Sequence, residues 1–216
     1  ATGLELELEV AVSSLQVSKS RWHAETDTGA TYSSAAVLLT PPVPQSLALL
    51  NAGGVLLAPE LQNRLGAIEY ERCLAVMAVL GGPSRIPPPG ALSLNEGPIA
   101  WIADNQIKGI SSEPALTIHA THAFSMEQWD CDRKECGRAL LAAAAEWIGE
   151  SSVKTFQVHG WRYSKPLSVD KSPCLLAYDS PQLVIAGDAF AGPKVEGAAL
   201  SGWAAAEMIL KNRNGF

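Results

Sequence analysis

The sequence has no basic cluster and no long apolar run. Its formal net charge is -6 over 216 residues, which argues against nucleic acid and anionic membrane surfaces as partners. No apolar segment reaches the roughly 18 residues that a membrane-spanning helix needs. We therefore predict a cytoplasmic protein that binds neither nucleic acid nor membrane.

The sequence is also poor in cysteine, with only Cys73, Cys131, Cys136 and Cys174. Cys131 and Cys136 are the only close pair, and their gap is longer than the two residues of a zinc knuckle or a CxxC redox motif. No histidine lies near enough in sequence to complete a metal site. We predict reduced thiols and no bound metal.

The chain has no initiator methionine and no helix or turn ahead of its first predicted strand. In that strand, apolar residues alternate with mostly acidic ones, a period of two that is typical of β-structure; the apolar positions are Leu4, Leu6, Leu8, Val10 and Val12. A domain rarely begins so abruptly. The pattern therefore predicts that an upstream segment belongs with this chain.

The chain does contain strands at both ends and a mixed middle. Strands are predicted at 22–26, 35–40, 73–80, 99–104, 115–121, 155–163 and 183–186, with a turn at Thr28-Gly29. The run at 35–40 is apolar throughout, which predicts burial on both faces. Helices are predicted over 43–65 (broken at Gly53-Gly54), 133–148 and 195–211. This order predicts an α/β or α+β layout in which the two ends share one layer and the middle is inserted.

Residues 183–210 are the most informative stretch. A buried strand ends in Gly187-Asp188, and a loop leads into a helix that starts near Val195. Small residues on this helix would let it approach a backbone or a flat ligand closely. They are Ala198, Ala199, Gly202, Ala205 and Ala206.

The same stretch has the chemistry to hold a flavin. Asp188 can accept hydrogen bonds from ribityl hydroxyls, and Gly187 lets the backbone come close. The helix start near Glu196 and Gly197 has free N–H groups and a partial positive charge. Those groups would stabilise the negative charge of a reduced ring.

This strand, Gly-Asp turn and helix resemble the C-terminal FAD motif of the flavin-containing amine oxidase superfamily, and within it the renalase-like proteins. Three other segments resemble the family in the same order, AVLLTPPVP at 36–44, LTIHATHAF at 116–124 and FQVHGWRYSKP at 156–166. The family's GxGxxG fingerprint, which cradles the pyrophosphate, does not occur here. The resemblance begins at the family's β-meander, which implies a missing N-terminal nucleotide-binding segment.

The resemblance implies a division into three parts. Residues 1–44 would be the meander and return strand of a partial Rossmann-like FAD-binding domain, and 176–216 its last strand and helix. Residues 45–175 would be an inserted mixed-sheet substrate domain. With FAD as cofactor, the implied reaction is oxidation of a dihydronicotinamide dinucleotide by molecular oxygen, which releases hydrogen peroxide. The alternatives are a small amine as substrate, a generic NAD(P)H, or a cofactor-free interaction subunit.

The resemblance also implies the site residues. The implied cofactor-binding residues are Val12, Thr40, Pro41, Trp161, Gly187, Asp188, Val195, Glu196, Gly197, Ala198 and Ala199. The implied catalytic residues are His119 and Trp161.

Each of these assignments has a plainer alternative. Alternation places His119 on one strand face with Thr117 and Thr121, where it would line either a substrate cavity or a solvent-facing edge. Trp161 either walls a pocket or is core. Arg162 either pairs with a phosphate or is a surface charge.

Overall fold

A computed structural model describes residues 3, 5–94 and 96–213 of the chain. The strands are β1 (Val12–Ser18), β2 (Arg21–Thr26), β3 (Thr31–Ser34), β4 (Ala36–Leu39), β5 (Tyr70–Leu80), β6 (Ala91–Ser93), β7 (Ile99–Asp104), β8 (Ala115–Ala120), β9 (Val153–Pro166), β10 (Leu175–Tyr178) and β11 (Gln182–Ile185). The helices are α1 (Val43–Ala52), α2 (Pro59–Gly66), α3 (His122–Glu127), α4 (Arg133–Ala143), α5 (Ala145–Ile148), α6 (Asp188–Ala191) and α7 (Val195–Arg213).

The chain divides into two compact units. Unit 1 joins both ends of the chain, Ala1–Glu69 with Lys165–Phe216, and unit 2 is Tyr70–Ser164. The insertion predicted at 45–175 extends beyond unit 2 at both ends. Helix α1 packs on β1 and α2 packs on α1, and this packing keeps both helices in unit 1.

The first sheet of unit 1 is an antiparallel meander of β1, β2 and β3. The prediction that the first strand starts at Leu4 is wrong for the described residues, because β1 begins at Val12; Leu4 itself lies outside them. Val12 pairs with Thr26, and the Asp27 N–H donates to the Ala11 carbonyl at 2.9 Å; the chain turns after that, between Thr26 and Ala30. Leu6 and Leu8 are exposed.

The second sheet of unit 1 has the order β10-β11-β4, with β4 parallel to β11. Residues 183–185 of β11 are completely buried. The expectation that 35–40 would be buried on both faces is wrong, because β4 is an edge strand and the side chain of Leu38 is 37% exposed. A continuous apolar run does not distinguish a central strand from an edge strand.

Unit 2 is a five-stranded sheet of order β6-β7-β8-β5-β9, and its core contains residues of α4 and α5. The strands predicted at 73–80, 99–104, 115–121 and 155–163 are confirmed with small changes of boundary. The helix predicted over 133–148 is interrupted at Ala144, whose N–H is shared between the carbonyls of Leu140 and Leu141. Leu140 and Ala144 are both fully buried.

No helix within 3, 5–94 and 96–213 is both long and apolar enough to cross a bilayer. The same residues hold no group of three His, Cys, Asp or Glu side chains arranged to bind a metal ion.

Candidate functional site

The carboxyl ends of β4 and β11 lie at one edge of the second sheet of unit 1. Leu39 pairs with Ile185 in parallel register, and the N–H of Ala186 donates to the Leu39 carbonyl at 3.0 Å. Thr40 and Gly187 therefore leave the sheet side by side. This edge is where open α/β sheets bind ligands, and two of the predicted cofactor segments meet there.

Gly187 has a backbone conformation that favours glycine, with φ +147°. A β-carbon added to it would lie 3.7 Å from the Thr40 carbonyl oxygen, an ordinary contact, so conformation rather than space requires glycine here. Asp188 follows as the half-buried first residue of α6. The sequence therefore turns sharply at the strand end and presents Asp188 at the sheet edge.

Ser201 fastens this turn to α7, a role that sequence reasoning missed. Its hydroxyl, completely buried, accepts the Gly187 N–H at 2.9 Å. Gly197, Ser201 and Ala205 are spaced four residues apart, so they form one row along α7. In the sequence, a serine within a row of small residues on a helix is the feature that could have predicted this contact.

The row from Gly197 to Ala205 packs on the backbone of unit 1 itself. A β-carbon on Gly197 would lie 2.2 Å from the Gly192 carbonyl oxygen, and Ala205 is buried with Val184 and Ala186. The small residues predicted to form one face of this helix therefore fall into two groups, one buried and one exposed. Ala205 serves packing, whereas Ala199 and Ala206 are exposed.

The first five residues of α7 are all predicted cofactor residues, Val195, Glu196, Gly197, Ala198 and Ala199. The helix begins at Val195 as predicted, and Val195 is 90% exposed. The Ala198 N–H donates to the Lys194 carbonyl, which starts the helical ladder. The N–H groups ahead of Ala198 carry the partial positive charge of a helix N-terminus.

The other predicted cofactor residues of unit 1 lie in two places, after β4 and in the meander. Thr40 is exposed at the sheet edge, and the Pro41 carbonyl accepts the hydroxyl of Ser46 at 3.1 Å. Val12 lies in the other sheet, at the start of β1, and is 42% exposed. The structure thus brings Thr40 together with Gly187, and places Val12 in the meander.

In unit 2, His119 lies on the sheet face opposite the helices. Its neighbours Ile118 and Ala120 are buried in the core, which confirms the predicted alternation. The His119 ring lies 5.0 Å from the ring of Trp101, its cross-strand partner on β7, with a tilt of 38°. The Nζ of Lys108 lies 5.1 Å from the Trp101 ring centroid.

Asp104 holds the turn that carries Lys108. Its buried carboxylate accepts the Ser84 hydroxyl at 2.5 Å and the N–H groups of Gln106 and Ile107 at 2.8 and 2.9 Å. These bonds fix the chain that follows β7. The position of the Lys108 backbone, and with it the approach of its side chain to Trp101, therefore depends on these Asp104 hydrogen bonds.

Burial lowers the pKa of His119, and the positive charge of Lys108 lowers it further. Both effects disfavour the imidazolium form. His119 is therefore a neutral imidazole at neutral pH, able to donate one hydrogen bond and accept another.

This pKa predicts how stability depends on pH. The folded-state pKa of His119 lies below the ordinary value of 6.5, so the unfolded chain binds more protons as the pH falls through that value. The free energy of unfolding should therefore decrease between about pH 7.5 and about pH 5.5. Urea unfolding of wild type and His119→Gln at both pH values measures the contribution of this residue.

The variant should lose less stability on acidification than wild type. Lys108→Met should lie between them, because it removes the smaller of the two causes. Equal losses in wild type and His119→Gln would contradict the assigned protonation state.

Trp161 is not core, because 51% of its side chain is exposed. It lies on β9 two residues after His159, whose ring is 4.5 Å away. Sequence reasoning missed His159 and Trp101. The two-residue spacing signalled His159, but Trp101 meets His119 only through strand register, which one sequence does not reveal.

Known proteins resemble this chain in sequence and in fold. No protein-family model matches the chain. Renalase from Mus musculus is 24% identical over 198 residues, which cover 88% of this chain and 58% of that protein. Cyclohexylamine oxidase from Brevibacterium oxydans IH-35A gives a TM-score of 0.69 at 13% identity, covering 97% of this chain and 49% of that one. A protein described as a protoporphyrinogen oxidase from Exiguobacterium sp. 255-15 gives 0.66 at 15% identity, covering 96% and 48%.

The chain thus spans a little over half the length of mouse renalase and about half the length of the two solved structures. The structural likeness covers nearly all of this chain and shows a shared fold, which confirms the predicted α/β architecture. The similarity in sequence is to renalase. The chain is thus similar to renalase in sequence and shares its fold with these two oxidases.

Proposed function

We propose that the chain is part of an FAD-dependent oxidoreductase that oxidises a dihydronicotinamide dinucleotide, with molecular oxygen as the final electron acceptor. The observation that carries this proposal is the Gly187-Asp188 turn at the carboxyl edge of β11, tied by Ser201 to α7. The similarity to renalase supports it. These 216 residues contain no GxGxxG fingerprint, so the proposal requires a nucleotide-binding segment outside them to supply the pyrophosphate site.

The residues of the unit 1 edge fit a flavin. When bound, a flavin accepts a hydride and passes the electrons to oxygen, which yields hydrogen peroxide. Asp188 would accept hydrogen bonds from the ribityl hydroxyls, and Gly187 would allow close approach of the backbone. The N–H groups of the first turn of α7, from Val195 to Gly197, would stabilise negative charge on the pyrimidine edge.

The unit 2 face offers groups for a flat and negatively charged substrate. The neutral His119 would hydrogen-bond a carboxamide, and the exposed ring of Trp161 offers an aromatic surface for stacking. Lys108 adds a positive charge beside Trp101, which favours a dinucleotide over a cationic amine. Hydride transfer to a flavin requires no acid and base pair, so positioning is the role proposed for these residues.

Colour tests the proposal directly. We expect the 216-residue chain to purify colourless, and a fusion behind the nucleotide-binding segment of a renalase-like relative to purify yellow. The yellow fusion should release peroxide with reduced dihydronicotinamide isomers rather than with cyclohexylamine. A colourless, folded fusion would favour the interaction-subunit alternative, and turnover of amines alone would favour the amine oxidase alternative.

Asp188→Ala in the yellow fusion should weaken FAD binding by about 1–3 kcal/mol, the range for losing a charge-assisted hydrogen bond. Titration of the apoprotein with FAD, followed by flavin fluorescence, gives the dissociation constant. Glu207→Ala is the matched control, because Glu207 lies on the same terminal segment but pairs with Lys211 at an exposed helix surface. Unchanged affinity in Asp188→Ala would remove this carboxylate from the proposed site.

A further inference from the structure

Three arginine side chains converge on one tryptophan on the helix-covered side of unit 2. The guanidinium carbons of Arg72, Arg133 and Arg162 lie 4.8, 5.0 and 6.0 Å from the ring centroid of Trp129. Trp129 is 8% exposed, so the three cations surround a buried ring. We call these four residues the arginine cluster.

Strand alternation and a helix start bring the cluster together. Arg72 on β5 has the same parity as Leu74 and therefore faces the helices, as Leu74 does. Arg133 is the first residue of α4, and its Nη1 donates to the Trp129 carbonyl at 2.7 Å. A β-carbon on Gly160 would lie 3.2 Å from both Arg133 and Trp129, so a glycine on β9 leaves the room that the cluster fills.

None of the ion pairs seen among the described residues, within 4.0 Å, involves Arg72, Arg133 or Arg162. Two other arginines do pair with a carboxylate, Arg64 with Asp170 and Arg85 with Glu150. The Trp129 ring attracts each cation through its quadrupole, but it does not cancel their mutual repulsion. Three guanidinium groups also present many N–H donors, and anions satisfy such donors best.

We propose that the arginine cluster binds a small phosphate-bearing anion. The planar guanidinium fork matches the oxygen geometry of phosphates and carboxylates, which disfavours a halide. Three cations favour the higher negative charge of a phosphate over the single charge of a carboxylate. Arg162 and Trp161 are adjacent on β9 and so point to opposite faces of the sheet. The cluster is therefore distinct from the His119 face, and its proposal does not depend on flavin binding.

Isothermal titration of the 216-residue chain with inorganic pyrophosphate tests the proposal. We expect one site per chain, an affinity that falls as salt rises, and a loss of about tenfold or more in Arg162→Gln. Arg162 is the exposed member of the cluster, so its replacement should leave the fold intact. Arg162→Lys keeps the charge but not the fork, and should bind with intermediate affinity.

Arg138→Gln is the matched control, because Arg138 is an exposed arginine of α4 outside the cluster. It should bind pyrophosphate as wild type does. An additional titration with ADP separates two sources of the phosphate: tighter binding of ADP indicates a nucleotide, and weaker binding indicates an inorganic or simpler phosphate.

Three outcomes would overturn the proposal. The first is that wild type, shown by circular dichroism to be folded, binds neither pyrophosphate nor ADP. The second is that Arg138→Gln weakens pyrophosphate binding as much as Arg162→Gln does. The third is that the titration shows many weak sites per chain. Each can be read without FAD, so failure here is distinguishable from failure of the proposed oxidoreductase function.

Discussion

Gly197→Ala should destabilise the chain, although alanine favours helices over glycine by about 1 kcal/mol. The added β-carbon would lie 2.2 Å from the Gly192 carbonyl oxygen, 2.7 Å from its carbonyl carbon and 2.8 Å from its Cα. These are backbone atoms, so no side-chain rotation relieves the clash, and α7 must shift. Overpacking of this kind costs about 1–3 kcal/mol. We expect a net loss of about 1–2 kcal/mol in urea unfolding.

Gly202→Ala on the same helix is the control with the opposite expected sign. A β-carbon on Gly202 would meet no heavy atom within 4 Å. Only the helix preference then acts, and stability should rise by up to about 1 kcal/mol. If both variants were stabilised, the close approach of α7 to Gly192 would be wrong. In the yellow fusion, Gly197→Ala should also weaken FAD binding, because it displaces the proposed cofactor turn.

Trp22→Ala should cost about 3–5 kcal/mol of unfolding free energy, the range for removing a large buried aromatic side chain. Trp22 is completely buried and packs edge-to-face on Tyr178 at 5.4 Å. Its Nε1–H donates to the carbonyls of Pro181 and Gln182 at 3.0 and 2.9 Å. Trp22 thereby connects the meander to the start of β11, the strand that ends at Gly187.

Two further variants separate the causes of this loss. Trp22→Phe keeps most of the ring but removes the donor, and should cost less than Trp22→Ala. Trp161→Ala removes a tryptophan that is 51% exposed, and should cost less than about 1 kcal/mol. If Trp161→Ala and Trp22→Ala were equally destabilising, the assignment of Trp22 as the link between the two sheets would be contradicted.

Local patterns determined much of unit 2 and of the terminal segment. The alternation from Leu116 to Ala120 gave the strand and the face of His119, because side chains in a strand alternate whatever their neighbours are. Thr121, predicted on the same face, instead caps α3. The start of α7 at Val195 and the turn at Gly187-Asp188 were also evident, since glycine and a periodic run mark chain reversals and helices locally. These are properties of a few consecutive residues.

The tertiary structure alone decided which residues meet. The pattern at 4–12 predicted a strand, but among the described residues β1 begins only at Val12. The apolar run at 35–40 is an edge strand of its sheet in the described part of the chain. The Ser201–Gly187 bond, the Trp101–His119 contact and the arginine cluster each join residues that are distant in sequence. Such contacts depend on strand register and helix placement, which are set by the packing of the whole unit and not by any one segment.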